Sequence, residues 1–415
     1  MAVTGATSGY AAGELTNLTQ IEYAQEVTYG VSPTSDYQIL RHAGETIAMQ
    51  DVVVTPEEIN AVPEDGATSV TSRSAGGSIS GLLSYGTYDD FIAAVMGIEW
   101  VYEKLYHVAG GKRLPTLWQN GDHFEFEFHE ETPIFSDWPS VGIVGLENLK
   151  GEEIKVPFRI RDENQSDDLR DSLILARSDG YKILSATQDD KSFTGGPTDL
   201  MIQKIRLDAL TNSNVAKSFT IRKKIGSVYQ IYSGNIVTKL KLDFQLQQTP
   251  TIQIDFLGAV MNMDDVSKYR TPAPATTTDV MQVGSLQRLE FNGSSFDGLV
   301  QSATLTLTRN GATLEQGIGN IYPSGVQFGS FNAALDLEIY FRSDDHLALL
   351  FSGMSGPLSF TVAGLSGYYE FNLLNAVPYN VTAPIDQKNK SMILHVPLTG
   401  NPIPGGGTLA IRRVG

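Results

Sequence analysis

The chain has 415 residues, too many for one hydrophobic core, and its length predicts two or three domains. Apolar residues make up 41% and charged residues 19%, a balance that argues against a disordered chain. The absence of cysteine excludes disulfides, thiolate metal sites and a catalytic thiol, and the formal charge of −17 argues against a surface that binds nucleic-acid phosphates.

The start of the chain has neither a basic leader nor an apolar run. No later stretch approaches the roughly 18 apolar residues of a membrane-spanning helix. We therefore expect a soluble protein that is made in a cytoplasm and has no stable association with a membrane.

The first clear element is a strand that runs into a short helix, "SYGTYDDFIAAVMG" at residues 84–97. Thr87 is the predicted N-cap, with Asp90 at the third helical position. Gly97 is the predicted left-handed stop. This segment is referred to below as the first corner.

The region 101–211 carries strand patterns of its own. In "HFEFEFHEE" (123–131), phenylalanine and glutamate alternate with the period of two expected for a half-buried strand. The region is long enough for a domain, and we predict an inserted β-rich domain here.

Two further alternating runs follow, "KLKLDFQLQ" (239–247) and "TIQIDF" (251–256). With residues 1–100, residues 212–262 are predicted to form one discontinuous module. Residues 263–281 contain a Pro- and Thr-rich stretch and are predicted to be a linker that is extended rather than packed.

A second corner, "YFRSDDHLALLFSG" (340–353), matches the first without a gap. Ser343 is its predicted cap and Gly353 its predicted stop. The strands before the two corners also agree in phase, and a slip of one residue would turn every side chain to the wrong face. We therefore interpret the repeat as a duplication and assign residues 282–415 to a second module.

The fold class that follows is mainly β. We predict two tandem modules of antiparallel β-sandwich or half-barrel type, each with a short flanking helix, together with the inserted β-rich domain.

The sequence shows no recognisable group of catalytic or metal-binding residues. The acidic loop "DENQSDD" (162–168) lacks the glycine and the bidentate glutamate of an EF-hand, and the six histidines form no chelating pair. We predict no catalytic residue, no cofactor and no metal, and hence no enzyme.

Three stretches of the sequence resemble the tail tube proteins, or major tail proteins, of long, flexible-tailed bacteriophages (siphophages). They are "YGTYDDFIAAVMGIEW", "SFTIRKKI" followed by "IVTKLKLDFQLQQTPTIQIDFLGA", and "TLTLTRNGATLEQGIGNIYPSGVQFGSFNAALDLEIYF". The resemblance covers most of the chain outside residues 101–211.

The resemblance implies a structural protein of the virion. Chains with two tube modules would form homotrimeric, pseudo-hexameric rings that stack into a hollow tube, and genomic DNA would pass through an acidic lumen without binding stably. The implied partners are the tape measure protein, the tail terminator and distal tail or baseplate proteins, with assembly in the bacterial host cytoplasm. The inserted domain would project from the outside of the tube.

Two Gly-, Ser- and Thr-rich stretches, 52–77 and 309–331, precede the corner strands. By analogy with the family, they would reach the neighbouring subunit or the next ring. The candidate interface residues in them are Glu57, Glu58, Arg73, Arg309 and Asn310.

An alternative remains at this stage, a surface adhesin or carbohydrate-binding protein built from tandem β-sandwiches. Such a protein should carry a secretion signal and often an exposed aromatic platform. Assembly separates the two hypotheses, because a tube protein must form rings and filaments whereas an adhesin can act as a monomer.

Overall fold

A computed structural model describes most of the chain outside the central region. The described residues are 16–34, 36–57, 59, 64–100, 104–107, 116–120, 123–128, 141–148, 153–161, 171–176, 202–207, 209–277, 279–282, 284–292, 294–296, 299–342, 344–385, 391–403 and 407–414. The acidic loop 162–168, Glu58 and Ser343 lie outside the described residues.

The first five strands precede helix α1, which spans Asp89–Met96. They are β1 Gln20–Gln25, β2 Gln38–Leu40, β3 Gly44–Glu45, β4 Ala48–Val54 and β5 Ser69–Leu82. A short 3-10 helix, Thr16–Leu18, comes before β1.

Among the described residues, the next seven strands pair only with one another, in the order β6-β12-β9-β10-β11-β8-β7, all antiparallel. They are β6 Lys104–His107, β7 Thr116–Asn120, β8 His123–Phe128, β9 Val141–Asn148, β10 Glu153–Arg161, β11 Asp171–Ala176 and β12 Ile202–Leu207.

Five strands complete the first half of the chain, and a 3-10 helix, Val266–Lys268, follows them. They are β13 Ala209–Thr211, β14 Ser218–Ile225, β15 Val228–Gln245, β16 Thr251–Gly258 and β17 Val260–Asp265.

The second half contains helix α2, Asp344–Phe351, between two groups of strands. The strands before it are β18 Leu286–Phe291, β19 Ser294–Ser295, β20 Val300–Asn310, β21 Thr313–Glu315, β22 Gly325–Gln327 and β23 Ser330–Tyr340. The strands after it are β24 Gly356–Ala363, β25 Tyr368–Pro378, β26 Ile393–Gly400 and β27 Leu409–Val414.

The predicted fold class is confirmed: the chain is mainly β, its large sheet is antiparallel in every pairing between its strands, and its described helices are short. The alternation of apolar side chains explains why these segments are strands with one buried face. On β16, Ile252, Ile254 and Phe256 are buried, while the residues between them point outward.

One long strand, β15, gives the first module its two layers. Its first part lies between β14 and β17, and its second part pairs with β16, which continues to β5. Gly234 has a φ of 71° between the two parts, a conformation that glycine adopts without strain. The strand therefore bends from one sheet into the other, and α1 packs into the shared core.

The second module repeats these pairings strand for strand. β25 lies between β24 and β27, then pairs with β26, which continues to β23, the strand before α2. β18 pairs with β24 as β1 pairs with β14, and β20 pairs with β23 as β3 and β4 pair with β5. We call these two sets of elements module 1 and module 2.

The two modules are joined edge to edge. Residues 239–245 of β15 pair antiparallel with residues 308–302 of β20, so that one sheet runs from β4 through β15 and β20 to β26. We call this pairing the internal seam.

The linker lies against module 1, which corrects the prediction that it is not packed. The Ile39 amide donates to the Ala273 carbonyl at 2.9 Å, and the Ala273 amide donates to the Tyr37 carbonyl at 2.8 Å. The Arg41 guanidinium donates to the Thr277 carbonyl at 3.1 Å. The Pro- and Thr-rich pattern indicates an extended conformation. It does not show that residues in and next to β2 supply hydrogen-bonding partners for the linker.

Candidate assembly surfaces

The first corner has a different start from the one its sequence predicts. Tyr88 occupies the N-cap position and makes no side-chain capping bond. Thr87 does not cap the helix, because its hydroxyl accepts a hydrogen bond from Ser84 at 2.9 Å. Asp90 accepts from the Tyr23 hydroxyl at 2.9 Å. Gly97 ends α1 with a φ of 69°.

Asp89, the first residue of α1, connects this helix to module 2. Its carboxylate accepts hydrogen bonds from the Tyr369 hydroxyl on β25 and from the Arg413 guanidinium on β27. The same tyrosine oxygen accepts from the Gly86 amide at 2.7 Å. Burial raises the pKa of the Asp89 carboxyl, while the hydrogen bonds from Tyr369 and Arg413 act in the opposite direction. The start of α1 is thus held by side chains from the second module.

The other end of α1 is held by Arg309, which is buried at the end of β20. Its guanidinium donates to the Val95 carbonyl at 2.8 Å and to the Ser213 carbonyl at 2.7 Å. It also donates to the Asn214 side-chain oxygen at 3.2 Å. A cation at a helix C-terminus satisfies carbonyls that the helix cannot pair and is favoured by the helix dipole. Burial lowers the pKa of the guanidinium to about 10.

The sheet that crosses the internal seam has one face in the core and one polar face. On the polar face, hydroxyls from one strand bind carboxylates on the next. The Thr304 hydroxyl donates to Asp243 at 2.8 Å, and the Ser302 hydroxyl donates to Glu338 at 2.9 Å. These cross-strand contacts position the carboxylates without removing them from solvent.

This polar face is weakly acidic on the strands next to the seam, β16, β15, β20 and β23. Its charged side chains are Lys239, Lys241, Asp243, Asp255, Asp336 and Glu338. Four carboxylates against two lysines give a net charge of −2. The nearby His395 lies with its Nδ1 3.2 Å from a Glu338 oxygen.

The two stretches predicted to reach a neighbouring subunit or ring, 52–77 and 309–331, contribute to two hairpin arms. β4 pairs with the first part of β5, and β21 pairs with β22 in line with the β20 and β23 hairpin. In the first arm, Arg73 lies opposite Asp51, with 3.2 Å between Nε and a carboxylate oxygen, and its amide donates to the Ile321 carbonyl of the second arm at 2.7 Å. Glu57 and Asn310 are exposed, and Arg309 contacts module 1 of its own chain.

The part of the chain that the structure describes offers neither a metal site nor a membrane-spanning helix. Within those residues, no group of three or more His, Asp or Glu side chains could hold a metal ion. No helix among them is long and apolar enough to cross a membrane.

A family model described as phage tail tube protein matches residues 16–407, nearly the whole chain. The chain belongs to this family. The family is structural rather than enzymatic, and membership makes this protein a component of the phage tail, hence of the virion, that self-assembles into a tube. A comparison with curated proteins finds no match.

Sequence reasoning missed the contacts that join the modules. The sequence patterns single out Arg309 only as a candidate interface residue, and they point to none of the contacts that Asp89, Tyr369 and Arg413 make between the modules. The one available signal was the pair of arginines at the end of the apolar run "LAIRRV", because charges there need partners if the strand is buried.

Proposed function

We propose that three copies of this chain close into a ring of six modules and that such rings stack into the tube through which phage DNA passes. The observation that carries this proposal is the internal seam, because it uses only one of two equivalent edges on each module. The other two edges are left for neighbouring copies.

The free edge of module 1 is identified by register. Gly44 lies opposite Ser80, and Thr304 lies opposite Asp336. Ser80 and Asp336 are 256 positions apart, as are the two corners, so Gly44 and Thr304 are equivalent. Residues 42–48 therefore correspond to residues 302–308, the stretch of β20 that lies in the seam.

The free edge of module 2 follows in the same way. In module 1, Leu240 lies opposite Ile254, which lies opposite Ile79. In module 2, Pro378 lies opposite Leu398, which lies opposite Leu335. Ile79 and Leu335 are again 256 positions apart, so Leu240 and Pro378 are equivalent. The stretch 377–383 thus corresponds to 239–245 of β15. On their outer sides, neither this stretch nor 42–48 pairs with another strand among the residues that the structure describes.

Joining 377–383 of one copy to 42–48 of the next would repeat the seam between chains. A head-to-tail contact of this kind closes into a ring if its rotation allows closure, and it leaves no open sheet edge. Six modules per ring, two from each chain, is the number that the resemblance to two-module tube proteins implies.

The polar face of the seam sheet would line the lumen. This face carries hydroxyls and carboxylates but few cations that could bind DNA phosphates. Its net negative charge would repel the phosphates, so that the genome passes without being held. The tape measure protein, the tail terminator and distal tail or baseplate proteins would be the partners, with assembly in the host cytoplasm. The region 101–211 would project from the outer wall.

The hairpin arms, which include Glu57, Arg73 and Asn310, would contact the neighbouring subunit or the next ring. The second arm can be shortened without changing the strands beneath it, because Thr313 lies opposite Gln327. Replacing residues 314–326 by Asn-Gly should leave the fold intact and abolish filaments, as seen by electron microscopy. Normal filaments from this variant would contradict a role for the arm.

The direct test is negative-stain microscopy of the purified chain together with the mass of any rings, measured by native mass spectrometry. We expect hollow filaments or rings with apparent sixfold symmetry and a mass of three chains. Rings of six chains would overturn the trimer. A chain that stays monomeric and binds glycans on an array would favour the adhesin instead.

A further inference from the structure

The two corner helices occupy equivalent positions but are covered differently. Gly97 and Gly353, with φ values of 69° and 66°, end their helices 256 positions apart. Val95 therefore corresponds to Phe351, and Ile98 to Met354. Val95 is buried and Ile98 is half-buried, whereas Phe351 is 54% exposed and Met354 is 57% exposed. The end of α2 thus presents two large apolar side chains to solvent where the end of α1 is covered.

Part of the cover on α1 comes across the internal seam. Arg309, on β20 of module 2, reaches the Val95 carbonyl of module 1. The residue equivalent to Arg309 is Met49, because Arg309 lies opposite Phe331 and Met49 lies opposite Ala75, and residues 75 and 331 are 256 positions apart. Met49 is 36% exposed, on a strand that is exposed throughout.

The residue types differ on both sides of the contact when the internal pair of positions is compared with the equivalent pair that is exposed. Inside the chain, the Arg309 cation donates to the Val95 carbonyl of α1 and to the Ser213 carbonyl beside it. At the equivalent positions left open, a methionine thioether would meet a phenylalanine ring and a second methionine. Such sulfur and aromatic contacts are favourable, and flexible methionines adapt to irregular apolar surfaces. Apolar groups that are exposed on both sides of an edge are the composition expected at the core of an interface between proteins.

We propose that Met49 of one copy packs against Phe351 and Met354 of a second copy of this chain, forming an apolar lock beside the edges that join neighbouring chains. The occupant is a second copy because the contact continues an interface that the chain already makes internally. This inference rests on the proposed ring and adds to it the residues that seal each joint between chains.

The absence of cysteine allows a clean cross-linking test. A chain carrying both Met49→Cys and Met354→Cys is oxidised under assembly conditions and analysed on a denaturing gel. We expect disulfide-linked dimers and trimers, with no species above three chains, because a closed ring has three joints. Neither single variant should cross-link, since each places only one cysteine at a joint.

The matched control pairs Met49→Cys with Leu365→Cys. Leu365 is 80% exposed in the turn between β24 and β25. In the corresponding turn of module 1, Ser227 follows Gly226. The Ser227 carbonyl accepts a hydrogen bond from Val266 of the linker rather than from β20. The control pair should not link. Linking as efficient as that of the 49 and 354 pair would mean random collision and would overturn the lock.

A second measurement, of the association constant, tests the lock separately from the ability to form rings. Met49→Asp should keep the monomer folded, as judged by circular dichroism, and lower the association constant at least about tenfold, because a carboxylate would be buried against apolar side chains. Leu365→Asp should leave association unchanged.

The two ideas fail in different ways. Wild-type rings that form while the 49 and 354 pair stays unlinked and Met49→Asp assembles normally would refute the lock and leave the proposed function standing. A wild-type chain that forms neither rings nor filaments would refute the proposed function, and the lock with it.

Discussion

The two modules share one arrangement of strands but differ in what covers it. In module 1, β1 and β14 bring Glu22 opposite Arg222, and both side chains are buried as an ion pair. On the corresponding strands of module 2, Gln287 lies opposite Thr361, exposed and half-buried respectively. The same sheet surface is therefore an interior in one module and an exterior in the other.

The cover over module 1 comes from the chain itself. The Arg222 guanidinium lies 3.5 Å from the ring centre of Tyr37, 4.4 Å from that of Tyr229 and 4.8 Å from that of Tyr269. Tyr37 precedes β2, and Tyr269 belongs to the linker. Cation–π contacts and the Glu22 carboxylate together stabilise the buried charge. Segments outside the shared framework thus cover this surface of module 1, whereas the corresponding surface of module 2 is exposed at Gln287.

The strongest way to test this difference is to break the buried pair. Glu22→Gln leaves the Arg222 cation buried without its counterion, and we expect the free energy of unfolding to fall by about 3–5 kcal/mol. Denaturant unfolding measures this change. Gln287→Ala in module 2 is the matched control, and a surface residue of this kind should change the free energy by less than about 0.5 kcal/mol. Similar losses for both would remove the contrast between the modules.

The two helix-stop glycines offer a closer comparison. A Cβ at Gly97 would lie 2.3 Å from an Arg309 nitrogen and 2.5 Å from the Ser213 carbonyl oxygen, whereas a Cβ at Gly353 would meet nothing within 4 Å. Gly97→Ala should therefore cost about 3 kcal/mol, from the left-handed conformation and the clash together. Gly353→Ala should cost only the conformational part, about 1 kcal/mol. Thermal unfolding of the monomer would show the difference, and equal losses would mean that α1 is not enclosed.

Arg309→Met places in module 2 the residue that module 1 has at the equivalent position. The Val95 and Ser213 carbonyls would lose their donor, and we expect the free energy of unfolding to fall by about 2 kcal/mol. The adjacent exposed Asn310, changed to Ala, should have little effect. If chemical denaturation finds Arg309→Met neutral, the seam is not stabilised by this contact.

The smallest effect is expected at Tyr229, whose hydroxyl donates to Glu22 at 2.7 Å. Tyr229→Phe should cost about 1 kcal/mol at neutral pH. Burial, with help from Glu22, raises the pKa of Tyr229 to about 12. Between pH 10 and 12, the unfolded chain loses this proton first, so the wild type loses stability as the pH rises.

Tyr229→Phe should therefore lose less stability than the wild type over the same pH interval, as measured by urea unfolding at several pH values. Gln287→Ala, which removes no titrating group from the exposed surface of module 2, is the control and should follow the wild-type curve. Parallel curves for Tyr229→Phe and the wild type would exclude Tyr229 as a source of the alkaline instability.

Local patterns in the sequence were sufficient to locate many strands. The alternating runs at β15 and β16 place their apolar residues in the core, and the pattern "HFEFEF" corresponds to β8. Alternation works because it reflects a property of each strand and its two faces.

What the sequence did not reveal depends on distant partners. Thr87 fits an N-cap pattern, but its hydroxyl binds Ser84, while the Tyr88 side chain is buried and donates to the Arg41 carbonyl. Arg222 is a charged residue of the kind expected at a surface, but the rings of Tyr37 and Tyr269 pack against its guanidinium and help to bury it. The internal seam pairs strands about 60 residues apart, and no local signal specifies which edges meet.

The internal seam also changes the thermodynamics of assembly. Two separate modules that associate lose translational and rotational freedom, an estimated cost of about 4–15 kcal/mol. Modules within one chain form their seam on folding, at a local concentration fixed by the linker rather than by the amount of protein in the cell. Half of the joints in a six-module ring would thus be independent of protein concentration, and only the joints between chains would respond to dilution.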